Sequence, residues 1–350
     1  MRSKLSIYIS VLVVWLAIFL NSCEYDPVII EELPADDIRV VVPQGWPYPN
    51  YDFASNTLTK EGFILGRKLF YDTKLSKDNT ISCGSCHQQF AAFSHLDHNV
   101  SHGIYGLFGT RNSPPLFNLN WHTNFMWDGG VNHIEVQPLA PITNPVEMDE
   151  DINTVVSKLQ ADLTYPKLFK DAFGTDIITS QLMFKAMVQF MGMLVSSNSK
   201  YDQYSRGEAS LTAQELSGLN LFQQKCNTCH TAPLFTNLSY MNNGLDTIFA
   251  DAGRAIITQS PTDSGTFKVP SLRNIALSRP YMHDGRFNTL NQVLEHYNSG
   301  VKNSSTLSSQ LVGGIPLTNE EKLDIIAFLK TLTDYTFIED KRFKDPFEPQ

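Results

Sequence analysis

Apolar residues recur three and four positions apart in several separate stretches, the spacing that lines one face of a helix. The longest such stripe follows Thr179, a residue suited to capping a helix, and comprises Leu182, Met183, Ala186, Met187, Phe190, Met191 and Leu194. Its methionines are read as packing, for which an unbranched thioether is well suited. Thr212 and Glu215 form a capping box ahead of Leu216, Leu219 and Phe222, and Thr318 and Glu321 form another ahead of Leu323, Ile326, Ala327 and Leu329. A similar apolar unit runs from Gly62 to Phe70. The segments 103–115 and 240–270 are rich in Gly, Asn, Asp and Thr and read as loops. The pattern predicts a mainly α-helical protein.

The N-terminal region follows a different pattern. Arg2 and Lys4 precede an apolar run from Leu5 to Leu20, short for a membrane span, so residues 1–22 read as a secretory signal. Leu20-Asn21-Ser22-Cys23 is similar to a bacterial lipoprotein acceptor, with Asn21 as a departure. Lipidation of Cys23 is the expectation and ordinary cleavage the alternative. Residues 23–50, rich in Pro, Asp and Glu, read as a tether, in which the apolar run Arg39 to Val42 predicts a first strand or edge segment. The expected location is the periplasm, with membrane attachment only through the lipid anchor. A net charge of -9 argues against a nucleic-acid partner and suits a basic or dipolar electron donor.

Four of the five cysteines fall in two strings, Cys83-Gly84-Ser85-Cys86-His87 and Cys226-Asn227-Thr228-Cys229-His230. Each reads as a c-type haem attachment site, with both thiols as thioethers to the porphyrin and the histidine as proximal iron ligand. A zinc or dithiol redox site is the alternative for one such string, and two copies in one exported chain weaken it. With these thiols committed, no cysteine pair remains for a disulfide, so stability must come from packing, the porphyrins included. A similar apolar unit precedes each string. The chain therefore reads as two cytochrome c-like haem domains packed around an interdomain interface, residues 51–205 and 206–345.

Further strings surround the two sites in order: Gly66-Arg67-Lys68-Leu69-Phe70, Gly109-Thr110-Arg111-Asn112-Ser113-Pro114, Trp127-Asp128-Gly129, Asn144-Pro145-Val146-Glu147-Met148, Pro270-Ser271-Leu272-Arg273-Asn274 and Pro280-Tyr281-Met282-His283-Asp284-Gly285. Over residues 58 to 333 this pattern resembles the bacterial dihaem cytochrome c peroxidase family, which includes the dihaem enzyme of methylamine utilisation. The resemblance implies that the His87 haem is peroxidatic and the His230 haem transfers electrons. It implies reduction of hydrogen peroxide to water, with a small cytochrome c or cupredoxin as donor. Glu147 matches the family's distal acid/base residue, Gln137 a glutamine lining the same pocket, and Trp127 the tryptophan between the haems.

Other assignments carried by the resemblance stay open between alternatives. His102, in a Gly-rich loop with His95 and His98 nearby, is either a reversible sixth ligand of the first iron or a solvated histidine. The sixth ligand of the second iron is Tyr297, as in the methylamine-utilisation enzyme, with Met282 as the alternative. One calcium ion is expected between the domains, with Asn112, Ser278 and Pro280 in the matching places. A homodimer is a further expectation. Two other functions compete with the peroxidase: an oxidase that modifies a partner protein, which Tyr297 suggests, and a non-catalytic dihaem electron carrier with both irons six-coordinate.

Overall fold

A computed structural model describes residues 38–96 and 98–348. The signal segment and Cys23 lie outside the described residues. The longer helices are α1 (Lys60–Tyr71), α2 (Ile152–Gln160), α3 (Tyr165–Phe173), α4 (Ser180–Met191), α5 (Ala213–Lys225), α6 (Leu290–Glu295) and α7 (Asn319–Lys330). Among the described residues the extended structure is one antiparallel pair, β1 (Tyr240–Met241) with β2 (Phe267–Lys268), plus isolated bridges. The chain is thus mainly helical, as the spacing predicts.

The predicted caps form. Thr179 accepts from Leu182 N at 3.2 Å to start α4, and Thr59, a cap the sequence pattern does not single out, accepts through Oγ1 from Gly62 N at 3.0 Å to start α1. Thr212 with Glu215 and Thr318 with Glu321 close reciprocal capping boxes at α5 and α7.

Two helix crossings repeat one device. Gly66 in α1 lies so close to α4 that a Cβ there would stand 1.9 Å from the Ala186 carbonyl oxygen. Gly218 in α5 meets α7 in the same way, with a Cβ 1.9 Å from the Asp324 carbonyl oxygen. Both glycines let backbones touch where any side chain would hold them apart. Each crossing seeds a separate buried cluster. The first includes Phe63, Phe70, Phe93 and Phe190, and the second Phe222, Phe235 and Phe328. Phe337 and Phe343, near the C-terminus, pack into the first cluster.

Three local expectations are corrected. Arg39 to Val42 form no strand: Ile38 is buried and Val40 packs on the first cluster, while Val41 is exposed, so side-chain anchoring replaces ladder pairing. In α7 the inward stripe is Lys322, Ile325, Phe328 and Leu329, and Leu323 is 57% exposed. One helical step of about 100° separates Leu323 from that stripe. Leu216 is likewise exposed in α5, where Leu219 and Phe222 carry the contact.

Candidate active site

Both Cys-x-x-Cys-His strings fold the same way. Each wraps into a short turn closed by the histidine backbone, His87 N to Cys83 O at 2.9 Å and His230 N to Cys226 O at 3.0 Å. None of these four cysteines is in a disulfide. Burial pushes Cys83 and Cys226 up to about 12 and Cys86 up to about 11, and it raises Cys229 as well.

The histidines are prepared as ligands. His87 Nδ1 lies 2.9 Å from the Phe93 carbonyl, and His230 Nδ1 lies 3.2 Å from the carbonyls of Phe235 and Pro270. A carbonyl can only accept, so Nδ1 carries the hydrogen and Nε2 keeps its lone pair for a metal. Burial pulls both imidazoles down to about 4, which keeps them neutral. Phe93 and Phe235 are buried and adopt left-handed backbone, φ 59° and 54°, to aim those carbonyls. Two thiols and one free imidazole nitrogen at each buried site fit a covalently attached haem.

Glu147 is partly buried and burial raises its carboxyl above the ordinary value, opposed by a hydrogen bond from Ser101 Oγ at 3.3 Å. The Glu147 carboxylate also acts electrostatically on Cys86, which places it at the first motif. Ile104 N donates to the Glu147 carbonyl at 2.8 Å, and a Cβ on Gly103 would clash with the backbone of Val146 and Glu147. The loop that carries His102 is therefore laid directly on the Glu147 turn.

His102 stands in a stacked column. The rings of His95 and His98 are 4.4 Å apart, His98 and His102 5.4 Å, and His102 and Phe108 4.9 Å. The His102 carbonyl lies 3.5 Å from Cys86 Sγ. Rings stacked face to face do not converge their nitrogens, and no cluster of three or more His, Cys, Asp or Glu side chains among the described residues is arranged to hold a metal ion.

Gln137 is buried, with Nε2 3.9 Å from Met126 Sδ. Met126 begins a turn, Met126-Trp127-Asp128-Gly129, that recurs in the second half as Met282-His283-Asp284-Gly285. Both methionines have positive φ, 68° and 76°, both glycines do too, and each turn is closed by an antiparallel bridge, Phe125 with Val131 and Tyr281 with Phe287. Trp127 and His283 thus hold equivalent positions, and Asn112 joins them. Trp127 Nε1 donates to the Asn112 carbonyl at 2.7 Å, and Asn112 N donates to the His283 carbonyl at 2.7 Å. The Asn112 amide reaches the carbonyls of Asn99 at 3.1 Å and His98 at 3.4 Å. Ser278 and Pro280 lie in the segment leading into the second turn. The paired turns are legible as a repeated Met-aromatic-Asp-Gly string, which the sequence reading leaves unused.

At the second site the backbone of His296 to Gly300 forms a five-residue π turn directly after α6. This turn carries Tyr297, whose phenol is close enough to Cys226 and Cys229 to feel both. Burial pushes that phenol up to about 12, opposed by a hydrogen bond from Asn243. Asn243 Nδ2 also donates to Met282 Sδ at 3.4 Å, and its carbonyl meets His296 Nε2 at 2.9 Å. Asn243 and Ser101 are site residues that sequence reasoning missed, since each sits in a polar loop where Asn and Ser are ordinary turn formers.

Comparison with known proteins agrees with this geometry. The family described as di-haem cytochrome c peroxidase matches residues 60–210. The methylamine utilization protein MauG of Methylorubrum extorquens is 35% identical over 86% of this chain and 85% of its own length. Cytochrome c551 peroxidase of Nitrosomonas europaea is 34% identical over 86% of this chain and 84% of its own. A crystal structure of a MauG-like protein associated with microbial copper homeostasis superposes with TM-score 0.81 at 35% identity, covering 88% of this chain and 99% of that one. The chain belongs to the di-haem cytochrome c peroxidase family, whose members are peroxidase-type oxidoreductases with two c-type haems. Relatives of both kinds, MauG and peroxidase, are about equally similar.

Proposed function

We propose that this protein reduces hydrogen peroxide to water at the iron bound by His87, with electrons entering through the haem bound by His230 from a small periplasmic cytochrome c or cupredoxin. Glu147 carries the reading: a shielded carboxyl with a raised pKa, set against the first haem motif by the Ser101 loop. Haems held by Cys83, Cys86 and His87 and by Cys226, Cys229 and His230 would supply the redox-active iron and the two electrons that peroxide reduction consumes. The carboxylate of Glu147 takes a proton from peroxide and returns it to the oxygen that leaves as water. Ser101 Oγ holds that carboxylate in place, and Gln137 orients from the same pocket. Trp127, hydrogen-bonded to Asn112, provides the aromatic group between the modules. Calcium bound by Asn112 and the carbonyls of Ser278 and Pro280 belongs to the same proposal, and a chelator is expected to lower activity. Steady-state turnover with reduced cytochrome c tests the reading: peroxide-dependent oxidation collapses in Glu147→Gln, and undiminished turnover there removes Glu147 from the mechanism.

Tyr297 favours a second reading, an oxidase that acts on a side chain of a partner protein. Its phenol lies at the Cys226–Cys229 motif, and the family includes MauG relatives. Peroxide added to the fully ferric protein separates the two. A long-lived oxidised species formed without prior reduction supports the oxidase, and activity that requires a half-reduced protein supports the peroxidase. A dihaem electron carrier with two six-coordinate irons is excluded by a high-spin ferric signal in electron paramagnetic resonance.

A further inference from the structure

A hydrogen-bond path repeated in each half of the chain links the two histidine sites. Pro114-Pro115-Leu116-Phe117-Asn118 and Pro270-Ser271-Leu272-Arg273-Asn274 share the spacing Pro-x-Leu-x-Asn. In the first string Leu116 N donates at 3.2 Å to the Phe93 carbonyl, the same oxygen that faces His87 Nδ1. In the second, Leu272 N donates at 3.2 Å to the Phe235 carbonyl, which faces His230 Nδ1. Each string therefore holds the acceptor that fixes its own histidine.

The asparagines that end the strings repeat the pattern. Both adopt left-handed backbone, φ 57° at Asn118 and 56° at Asn274. Asn118 N donates to the Leu194 carbonyl at 2.8 Å, and its Oδ1 accepts from Ser196 N at 2.9 Å. Asn274 N donates to the Leu332 carbonyl at 3.0 Å, and its Oδ1 accepts from Asp334 N at 2.8 Å. Ser196 and Asp334 are thus equivalent positions, one shortly after α4 and the other shortly after α7. They meet directly. Ser196 Oγ donates to Asp334 Oδ2 at 3.1 Å and accepts from Asn274 Nδ2 at 3.0 Å, while Asn118 Nδ2 donates to the Ser196 carbonyl at 3.1 Å. Asn118, Ser196, Asn274 and Asp334 are all buried.

Asp334 also reaches back to the first site. Its Oδ1 accepts from Phe337 N at 3.1 Å, and the Phe337 ring packs on Phe93 with centres 5.6 Å apart. A member displaced from a fully paired buried network has no water to turn to, so the displacement passes to its partners. The hydrogen bond on the far nitrogen of a ligating histidine tunes how strongly that histidine donates to its metal. We propose that the Ser196–Asp334 contact couples the two proximal histidines, so that a change in the hydrogen bond of one alters the other. Ser196, Asn118 and Asn274 are positioning residues in this scheme. The coupling depends on haem at the two Cys-x-x-Cys-His strings and not on peroxide chemistry, so it stands or falls separately from the proposed reaction.

Electron paramagnetic resonance of the fully ferric holoprotein tests the coupling through Asn118→Gly, Asn274→Gly and Ser196→Ala. Glycine accepts the left-handed backbone, so the first two substitutions remove the side-chain amide without adding strain. Each glycine variant is expected to shift the ferric signal of the haem in its own half and that of the other haem as well. With Ser196→Ala as the starting protein, the same glycine substitution is expected to shift the near signal alone. Keeping both irons ferric removes any contribution from electron sharing between them. Signals that move only in the mutated half, or that stay unmoved while the melting temperature falls, overturn the proposal and leave the network a packing feature. Where a glycine variant fails to accumulate with both haems attached, Ser196→Ala alone decides: shifts at both haems support the coupling, and a shift at one or neither overturns it.

Discussion

The side-chain nitrogen of Asn243 lies 3.4 Å from the sulfur of Met282. The same amide hydrogen-bonds the Tyr297 phenol, so it meets both candidates for the second iron. Met282 occupies a turn position that Met126 repeats in the first half, with the same left-handed backbone, so its conformation follows from the turn and not from a metal. Tyr297→Phe is therefore expected to change the ferric spectrum of the second haem and to raise its reduction potential, since phenolate stabilises ferric iron. Met282→Leu is expected to leave the coordination intact. Loss of a sulfur-to-iron charge-transfer band in Met282→Leu, with Tyr297→Phe silent, reverses the assignment.

Glu147 predicts a pH dependence with a definite sign. Its folded pKa is raised, so the carboxyl holds its proton to a higher pH than in the unfolded chain. Acting first as a base, it requires the ionised form, and kcat/KM should rise with pH through a midpoint above the ordinary 4.5. In Glu147→Gln this limb disappears and turnover falls by about 10²–10⁴. The stability effect runs the other way. This group favours the native state most below its unfolded pKa, and that contribution is lost as pH rises through the folded value. Glu147→Gln should therefore melt no lower than the parent at neutral pH, as calorimetry of the holoprotein will show.

The helices and their caps were legible because each depends on local chemistry, such as a hydroxyl and a carboxylate three residues apart, and the two Cys-x-x-Cys-His strings are local in the same sense, two thiols and an imidazole in five residues. The inward faces of α5 and α7 were only half legible. Leu323 and Leu216 are apolar but exposed, and Lys322 is buried, because the partner helix and not the residue type decides which face turns in. The pocket partners were hidden for a different reason. Ser101 and Asn243 come from loops far from Glu147 and Tyr297 in sequence, and their contacts arise only when distant segments meet.

The two glycine crossings predict matching stability losses. Gly66→Ala and Gly218→Ala each place a methyl against backbone carbonyl, which cannot rotate away as a side chain can. The helices must separate, at a cost of about 1–3 kcal/mol for an overpacked contact. Urea titration should show lower midpoints for both variants. An unchanged midpoint for either means that its helix pair does not depend on the close approach.

Trp127 and His283 occupy equivalent turns and are joined through the backbone of Asn112, with hydrogen bonds of 2.7 Å on each side. The backbone of Asn112 thus connects the first half of the chain to the second. His283 is further fixed by stacking on Phe267, with ring centres 3.7 Å apart. Trp127→Phe keeps an aromatic ring but removes the indole N–H, leaving the Asn112 carbonyl without that donor, a loss of about 1 kcal/mol. The variant should fold and carry both haems with resting spectra like those of the parent, because Trp127 is not proposed to bind iron. Its rate of electron exchange between the haems, followed by rapid mixing of the half-reduced protein with peroxide, is expected to fall. An unaltered exchange rate places the electron route elsewhere and leaves Trp127 as a packing residue.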